Sequence, residues 1–140
     1  MTKIFLDSDV LLDLFIEREP HHTIAQRLLT VLKRKGLQCY TSPIVLANVN
    51  YILAKAKGRE YSIGKLRSLR ALLNVLQIDE RIVDAAVASP QTDFEDTLQL
   101  QCALANGIDT LITRNVRPYP KARIQIVDPM QYLSSERKRE

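Results

Sequence analysis

Short apolar runs alternate along the chain with longer stretches of helical period, the pattern expected of a parallel sheet flanked by helices. The runs Lys3–Leu6, Gln38–Thr41, Leu76–Ile78, Thr110–Thr113 and Ile124–Val127 predict strands. Helical spacing predicts helices over 9–17, 22–35, 43–57, 62–75, 80–88 and 93–106, with a short last turn after Pro129. Gly36, Gly58 and Gly107 fall where helices should stop, because glycine accepts the left-handed conformation of a helix C-cap. The expected fold class is α/β, with a mostly parallel five-stranded sheet in one domain over 1–133. The tail 134–140, which ends Glu136-Arg137-Lys138-Arg139-Glu140, has the composition of a frayed segment.

At 140 residues the chain has the length of a single core, and 46% hydrophobic with 26% charged residues excludes wholesale disorder and fibrous repeats. No apolar run approaches the ~18–20 residues that cross a bilayer. Asp7 arrives too early for a signal peptide, so a cytoplasmic protein without a membrane partner is expected. Cys39 and Cys102 stand alone, which suggests neither a disulfide framework nor a zinc site. Charge is more informative than its net value of +4: residues 1–70 hold 12 Lys/Arg against 6 Asp/Glu, and 71–140 hold 8 against 10. The run Lys55, Lys57, Arg59, Lys65, Arg67, Arg70 suits a phosphate backbone, an acidic protein partner, or simply solvent.

In open α/β sheets chemistry gathers outside the carboxyl ends of the strands. The first strand delivers Asp7-Ser8-Asp9 there, with Asp7 or Ser8 a natural N-cap and Asp9 and Asp13 readable as helix-surface acids. A second group, Asp93-Phe94-Glu95-Asp96, opens the helix over 93–106. Thr92 with Glu95 fits a capping box, which assigns Glu95 a structural role. At about 100° per residue, Glu95, Gln99 and Asn106 share a polar face, whereas Asp93 and Asp96 bracket Leu100, Ala103 and Leu104 and should face the protein. Inward carboxylates repel one another by about 4 kcal/mol per pair at 4 Å and an effective dielectric of 20 unless a cation is shared. Oxygen ligands favour Mg²⁺ or Mn²⁺ over zinc, and either ion could activate water against a phosphodiester. The strand end Thr113-Arg114-Asn115 adds a hydroxyl, a guanidinium for phosphate and an amide.

The pieces FLDSDVLLDLF, TSPIVLANVNYIL, DFEDTLQLQCALANGIDTLITRN and IQIVDP, in this order and spacing, resemble a PIN domain of the VapC toxin kind over Lys3 to about Leu133. The resemblance implies a three-layer α/β/α sandwich, a site for Mg²⁺ or Mn²⁺, endoribonuclease activity on single-stranded RNA, frequent dimerisation and inhibition by a small antitoxin. Carried over by position, Asp7 matches the first family acid, Asp96 the acid that opens the penultimate helix, and Asp93 the additional acid of this subgroup. Asn48 stands where the family usually has Glu, Asn115 where many members have a final Asp, and Asp9 where Asn is customary. Asp7, Asp93, Asp96 and Asn115 are thus the expected catalytic residues, the three aspartates the metal ligands, and Ser8, Asp9, Asn48, Thr113 and Arg114 the site lining. The two amides weaken metal binding relative to carboxylates.

A metal-dependent ribonuclease toxin is the leading expectation. A PIN-like RNA- or protein-binding domain with weakened chemistry competes with it on the strength of Asn48 and Asn115. A phosphotransferase of the haloacid dehalogenase type matches only DSDV and lacks a further acidic pair after the Thr113 strand. The helices over 43–57 and 62–75 carry more apolar side chains than one sheet face needs, which anticipates a homodimer contact or an antitoxin groove.

Overall fold

The computed structural model describes residues 2–89, 93–116 and 124–139. Its elements in chain order are β1 (Lys3–Leu6), α1 (Ser8–Asp13), α2 (His21–Arg34), β2 (Gln38–Thr41), α3 (Pro43–Lys57), α4 (Arg59–Leu72), β3 (Asn74–Val75), α5 (Glu80–Ala88), α6 (Phe94–Ala105), β4 (Thr110–Ile112), β5 (Gln125–Val127) and α7 (Pro129–Arg139). The strands form one parallel five-stranded sheet in the order β3-β2-β1-β4-β5. In the register of the central strand, Phe5 lies between Tyr40 of β2 and Leu111 of β4.

Parallel sheets are covered on both faces, and their inner strands are correspondingly apolar throughout. β1 follows that rule: Ile4, Phe5 and Leu6 are all buried. Connections that keep one handedness place helices on one face while the strand order moves outward and on the other once it reverses. Accordingly α1 packs on α2 and α3, and α3 on α4, whereas α5 packs on α6. On the first side Val45, Val49 and Leu53 recur every four residues along α3 and meet a core that includes Leu11, Leu28 and Leu32. Leu98, Cys102 and Ala103 of α6 join Ile82 and Ala86 of α5 in the same cluster. Each such aliphatic side chain contributes roughly 1.5–3 kcal/mol by leaving water.

Gly58 alone separates α3 from α4, at φ +92°, a backbone conformation that side-chain-bearing residues rarely adopt. This lets α4 begin at Arg59, three residues earlier than helical spacing alone suggests. As a result α4 ends at Leu72, and the short edge strand is Asn74–Val75 instead of Leu76–Ile78. Leu76 still donates its amide to the Thr41 carbonyl at 2.8 Å, but its side chain turns into the core. Helix α1 stops at Asp13, not at residue 17, and the following apolar side chains Leu14, Phe15 and Ile16 pack from a turn.

The chain end also departs from its composition. α7 continues through Arg139, and Glu136 is buried in an ion pair with Lys35. The segment from Ser134 is therefore helical over its described residues, because α7 packs on α2 and brings Glu136 to a basic partner that sequence distance conceals. Among the described residues no helix is long and apolar enough to cross a membrane.

Candidate active site

The strand order moves outward from β1 through β2 to β3 and then resumes at β4 on the other side of β1. The crevice of such a sheet opens at this reversal, between the carboxyl ends of β1 and β4. Asp7 sits there. Its amide donates to the Ile112 carbonyl at 3.1 Å, extending the β1–β4 ladder by one rung, and its carboxylate caps α1 by accepting the Ser8 amide at 2.7 Å. Beside it, Thr41 at the end of β2 donates its hydroxyl to the Leu6 carbonyl at 3.1 Å.

Burial pushes the Asp7 carboxyl up to about 6, and the nearby carboxylates of Asp9 and Asp96 push in the same direction. The Ser8 amide and the Thr113 hydroxyl act against that rise without cancelling it. Asp9 is held from the β4 side: one of its oxygens accepts the Thr113 hydroxyl at 3.2 Å and the Arg114 amide at 3.1 Å. Its other oxygen, Oδ1, is buried and meets no hydrogen-bond donor among the described residues. Asp9 is thus part of the cluster and not a helix-surface acid.

Asp13, the other acid assigned to the helix surface, is buried and accepts Nε of Arg114 at 2.6 Å and Nη2 at 3.3 Å. The guanidinium expected for phosphate is therefore already engaged on two of its three nitrogens, and burial of Asp13 without that partner would be expensive. Asn115 is exposed, and its backbone N–H donates to the Thr113 hydroxyl at 3.2 Å.

The acids of α6 divide differently from the helical-wheel expectation. Asp93 is the N-cap: it is exposed, and its carboxylate accepts the Asp96 amide at 3.0 Å while its carbonyl accepts the Thr97 hydroxyl at 2.8 Å. Asp96 is the half-buried acid that approaches Asp7. Thr92 lies outside the described residues, and Glu95, assigned from sequence to a capping box, instead accepts a hydrogen bond from the Asn48 amide of α3. One turn further, Gln99 is buried and accepts the Ser42 hydroxyl at 2.6 Å. The polar face of α6 is thus an interhelical contact. The spacing of Glu95 and Gln99 was the available signal, but periodicity cannot tell a solvated polar face from one that meets polar partners.

The structure therefore brings together Asp7, Ser8, Asp9, Asp96, Thr113 and the Arg114 backbone, sets Asn48 with Glu95 on the adjoining α3–α6 seam, and leaves Asp93 and Asn115 on the exposed rim. Among the described residues no group of three or more carboxylate, imidazole or thiol side chains forms a ready-made metal cage. The donor set nonetheless suits a hard cation, which commonly takes one or two carboxylates and completes its shell with water. A raised Asp7 and a buried Asp9 oxygen without a donor both mark a region short of positive charge.

These features define an α/β domain with an acidic site at the reversal point of a parallel sheet. The family profile of the PIN domain matches residues 3–117, and the chain belongs to that family. Ribonuclease VapC1 of Aquifex aeolicus is 23% identical over 135 residues, which cover 93% of this chain and 92% of that protein. Among solved structures, VapBC2 from Rickettsia felis bound to a promoter DNA fragment superposes with a TM-score of 0.68 at 17% identity over 91% of this chain and 98% of the other. A toxin–antitoxin complex from Klebsiella pneumoniae gives 0.67 at 23% identity over 90% and 97%. Mycobacterium tuberculosis VapC20, described as a Sarcin-Ricin loop cleaving toxin, gives 0.62 at 18% identity over 77% and 86%.

Proposed function

We propose that this protein is a metal-dependent endoribonuclease that cleaves single-stranded RNA as the toxin of a toxin–antitoxin pair. The observation that carries the reading is the convergence of Asp9 and Asp96 on a half-buried Asp7, whose carboxyl desolvation and like charge raise to about 6. Similarity to Ribonuclease VapC1 along nearly the whole chain supports the nuclease class.

In this reading Asp7 and Asp96 hold Mg²⁺ or Mn²⁺, with Asp93 and Asn115 at the rim and Asn48 offering an amide oxygen. The ion supplies positive charge that polarises a phosphodiester and acidifies water. The protein's own residues keep the acids in place: the Ser8 amide fixes Asp7, and Thr113 with the Arg114 backbone fixes Asp9. Arg114, clamped by Asp13 through Nε and Nη2, turns its remaining Nη1 edge to an RNA phosphate.

The partner surface lies on the α3–α4 hairpin, where Tyr51 and Ile52 of α3 are exposed, Lys55 lies over the Tyr51 ring, and Lys57 and Lys65 extend the basic rim. Apolar area of this kind suits a second copy of the chain or a small antitoxin. Solved complexes of similar folds with antitoxins support the latter. The test is cleavage of a single-stranded RNA across Mg²⁺ and Mn²⁺ titrations. Metal-dependent cleavage that Asp96→Asn abolishes is the expected result, whereas RNA or partner binding without cleavage under any condition would leave a binding domain in its place.

A further inference from the structure

We infer that the cavity beside Arg114 is a base-reading subsite, which takes a guanosine of a single-stranded RNA close to the cut; this deepens the ribonuclease reading above and rests on it. The cavity measures about 310 Å³, at the small end of ligand sites, and suits one nucleoside. Arg114 ties it to the acids. Its backbone N–H holds Asp9, while its side chain and that of Asp13 form part of the cavity wall. Asp9 and Asp13 lie four residues apart on α1, about 6 Å along the helix axis, a distance that one or two stacked nucleotides span.

The wall combines apolar side chains, Ile24 of α2 and Met130 of α7, with a few polar groups, the combination that grips a base splayed out of a single strand. Arg114 keeps Nη1 beyond the Asp13 clamp for that nucleotide's phosphate. Asp128 decides which base fits. It is the N-cap of α7: its Oδ1 accepts the Gln131 backbone N–H at 2.8 Å, and the Gln131 side chain accepts the Asp128 N–H at 3.0 Å. Its Oδ2 makes no hydrogen bond, and its carboxylate no ion pair, to a described residue. Asp13, in the same wall, is already paired with Arg114, so Asp128 is the acid left to receive a ligand's donors. A carboxylate only accepts, and the base must therefore present N–H groups. Guanine places two side by side, at N1 and N2. Adenine and cytosine offer one amino group each, and the single N–H of uracil lies between two carbonyls that a carboxylate repels. His21, the first residue of α2, adds a ring N–H in the same wall for guanine O6 or N7.

The experiment uses the full chain and four short oligouridines that carry G, A, C or U at one central position. Binding is followed by fluorescence anisotropy in chelator, and cleavage in Mn²⁺ is mapped to the nucleotide. The guanosine oligomer should bind about 10-fold more tightly than the uridine one, the discrimination expected of a two-point base contact, and its cuts should fall at one fixed spacing from the guanosine. Asp128→Asn and Asp128→Ser both retain an N-capping side chain and should melt with the unaltered protein, yet lose the preference, which a merely structural Asp128 would not control. Base-blind binding by the unaltered protein, binding to none of the four, or a guanosine preference that survives both substitutions would overturn the subsite. Guanosine-selective binding that the variants lose, without cleavage at any metal concentration, would overturn the ribonuclease reading and leave the subsite standing.

Discussion

The Ser42 hydroxyl donates to Oε1 of Gln99 at 2.6 Å, with both side chains buried between α3 and α6. Ser42 also accepts the Val45 amide at 3.1 Å as the N-cap of α3. Ser42→Ala removes the cap and strands the Gln99 carbonyl, and should destabilise the protein by about 2–4 kcal/mol in urea unfolding. Nε2 of Gln99 already lacks a partner among the described residues, so adding Gln99→Met to Ser42→Ala should recover part of the loss. Strictly additive losses would show that the two side chains are not coupled.

The raised carboxyl of Asp7 makes folding pH-dependent in a defined direction. Between about pH 4, where the unfolded carboxyl ionises, and pH 6, the folded state holds the extra proton, so stability falls as pH rises through that window. Asp7→Asn keeps a good N-cap and removes the charge. In chelator the variant should be more stable than the unaltered protein by about 1–3 kcal/mol at pH 7.5, with the difference shrinking towards pH 4. Urea titrations at the two pH values measure it, and equal stability at pH 7.5 would refute the assignment.

Metal should reverse that ranking. An ion bound only by the folded state stabilises it by about 2.7 kcal/mol at one hundred times its dissociation constant. Mn²⁺ should raise the melting temperature of the unaltered protein and leave Asp7→Asn and Asp96→Asn unmoved. A similar rise in all three proteins would place the ion elsewhere.

The Asp13–Arg114 pair predicts a loss of stability distinct from any loss of cleavage. Asp13→Ala leaves the guanidinium without its acid and opens space beside α1, and should cost about 2–4 kcal/mol, near the lower end of what breaking a buried pair costs because Arg114 is partly exposed. Arg114→Lys keeps a charge but loses the two-point grip, and should be destabilised nearly as much. Thermal melts without metal check both variants. Full stability in Arg114→Lys would mean that only charge, not shape, holds this corner.

The sheet was legible because buried parallel strands are short continuous apolar runs, and β1 and β2 fall on the residues that such runs mark. Asp7 was legible because a carboxylate directly after such a run can only lie at a strand end. Long-range pairing was not legible: Asp13 looked solvated until Arg114, a hundred and one positions later, was seen to close over it. Glu136 looked frayed until Lys35, just past the end of α2, proved to be its partner. Glu95 was assigned to a local cap because capping patterns can be read within four residues, whereas its partner Asn48 lies forty-seven positions away.

The hydrogen bond from the Asp7 amide to the Ile112 carbonyl makes the peptide bearing the central acid a rung of the innermost strand pair. Its exchange with solvent deuterium should be as slow as that of the core, since opening it means parting β1 from β4. Asp7 therefore moves only with the sheet itself. If the site cleaves RNA as proposed, restraint would then come from outside, by a body that blocks the crevice, and release from removing that body.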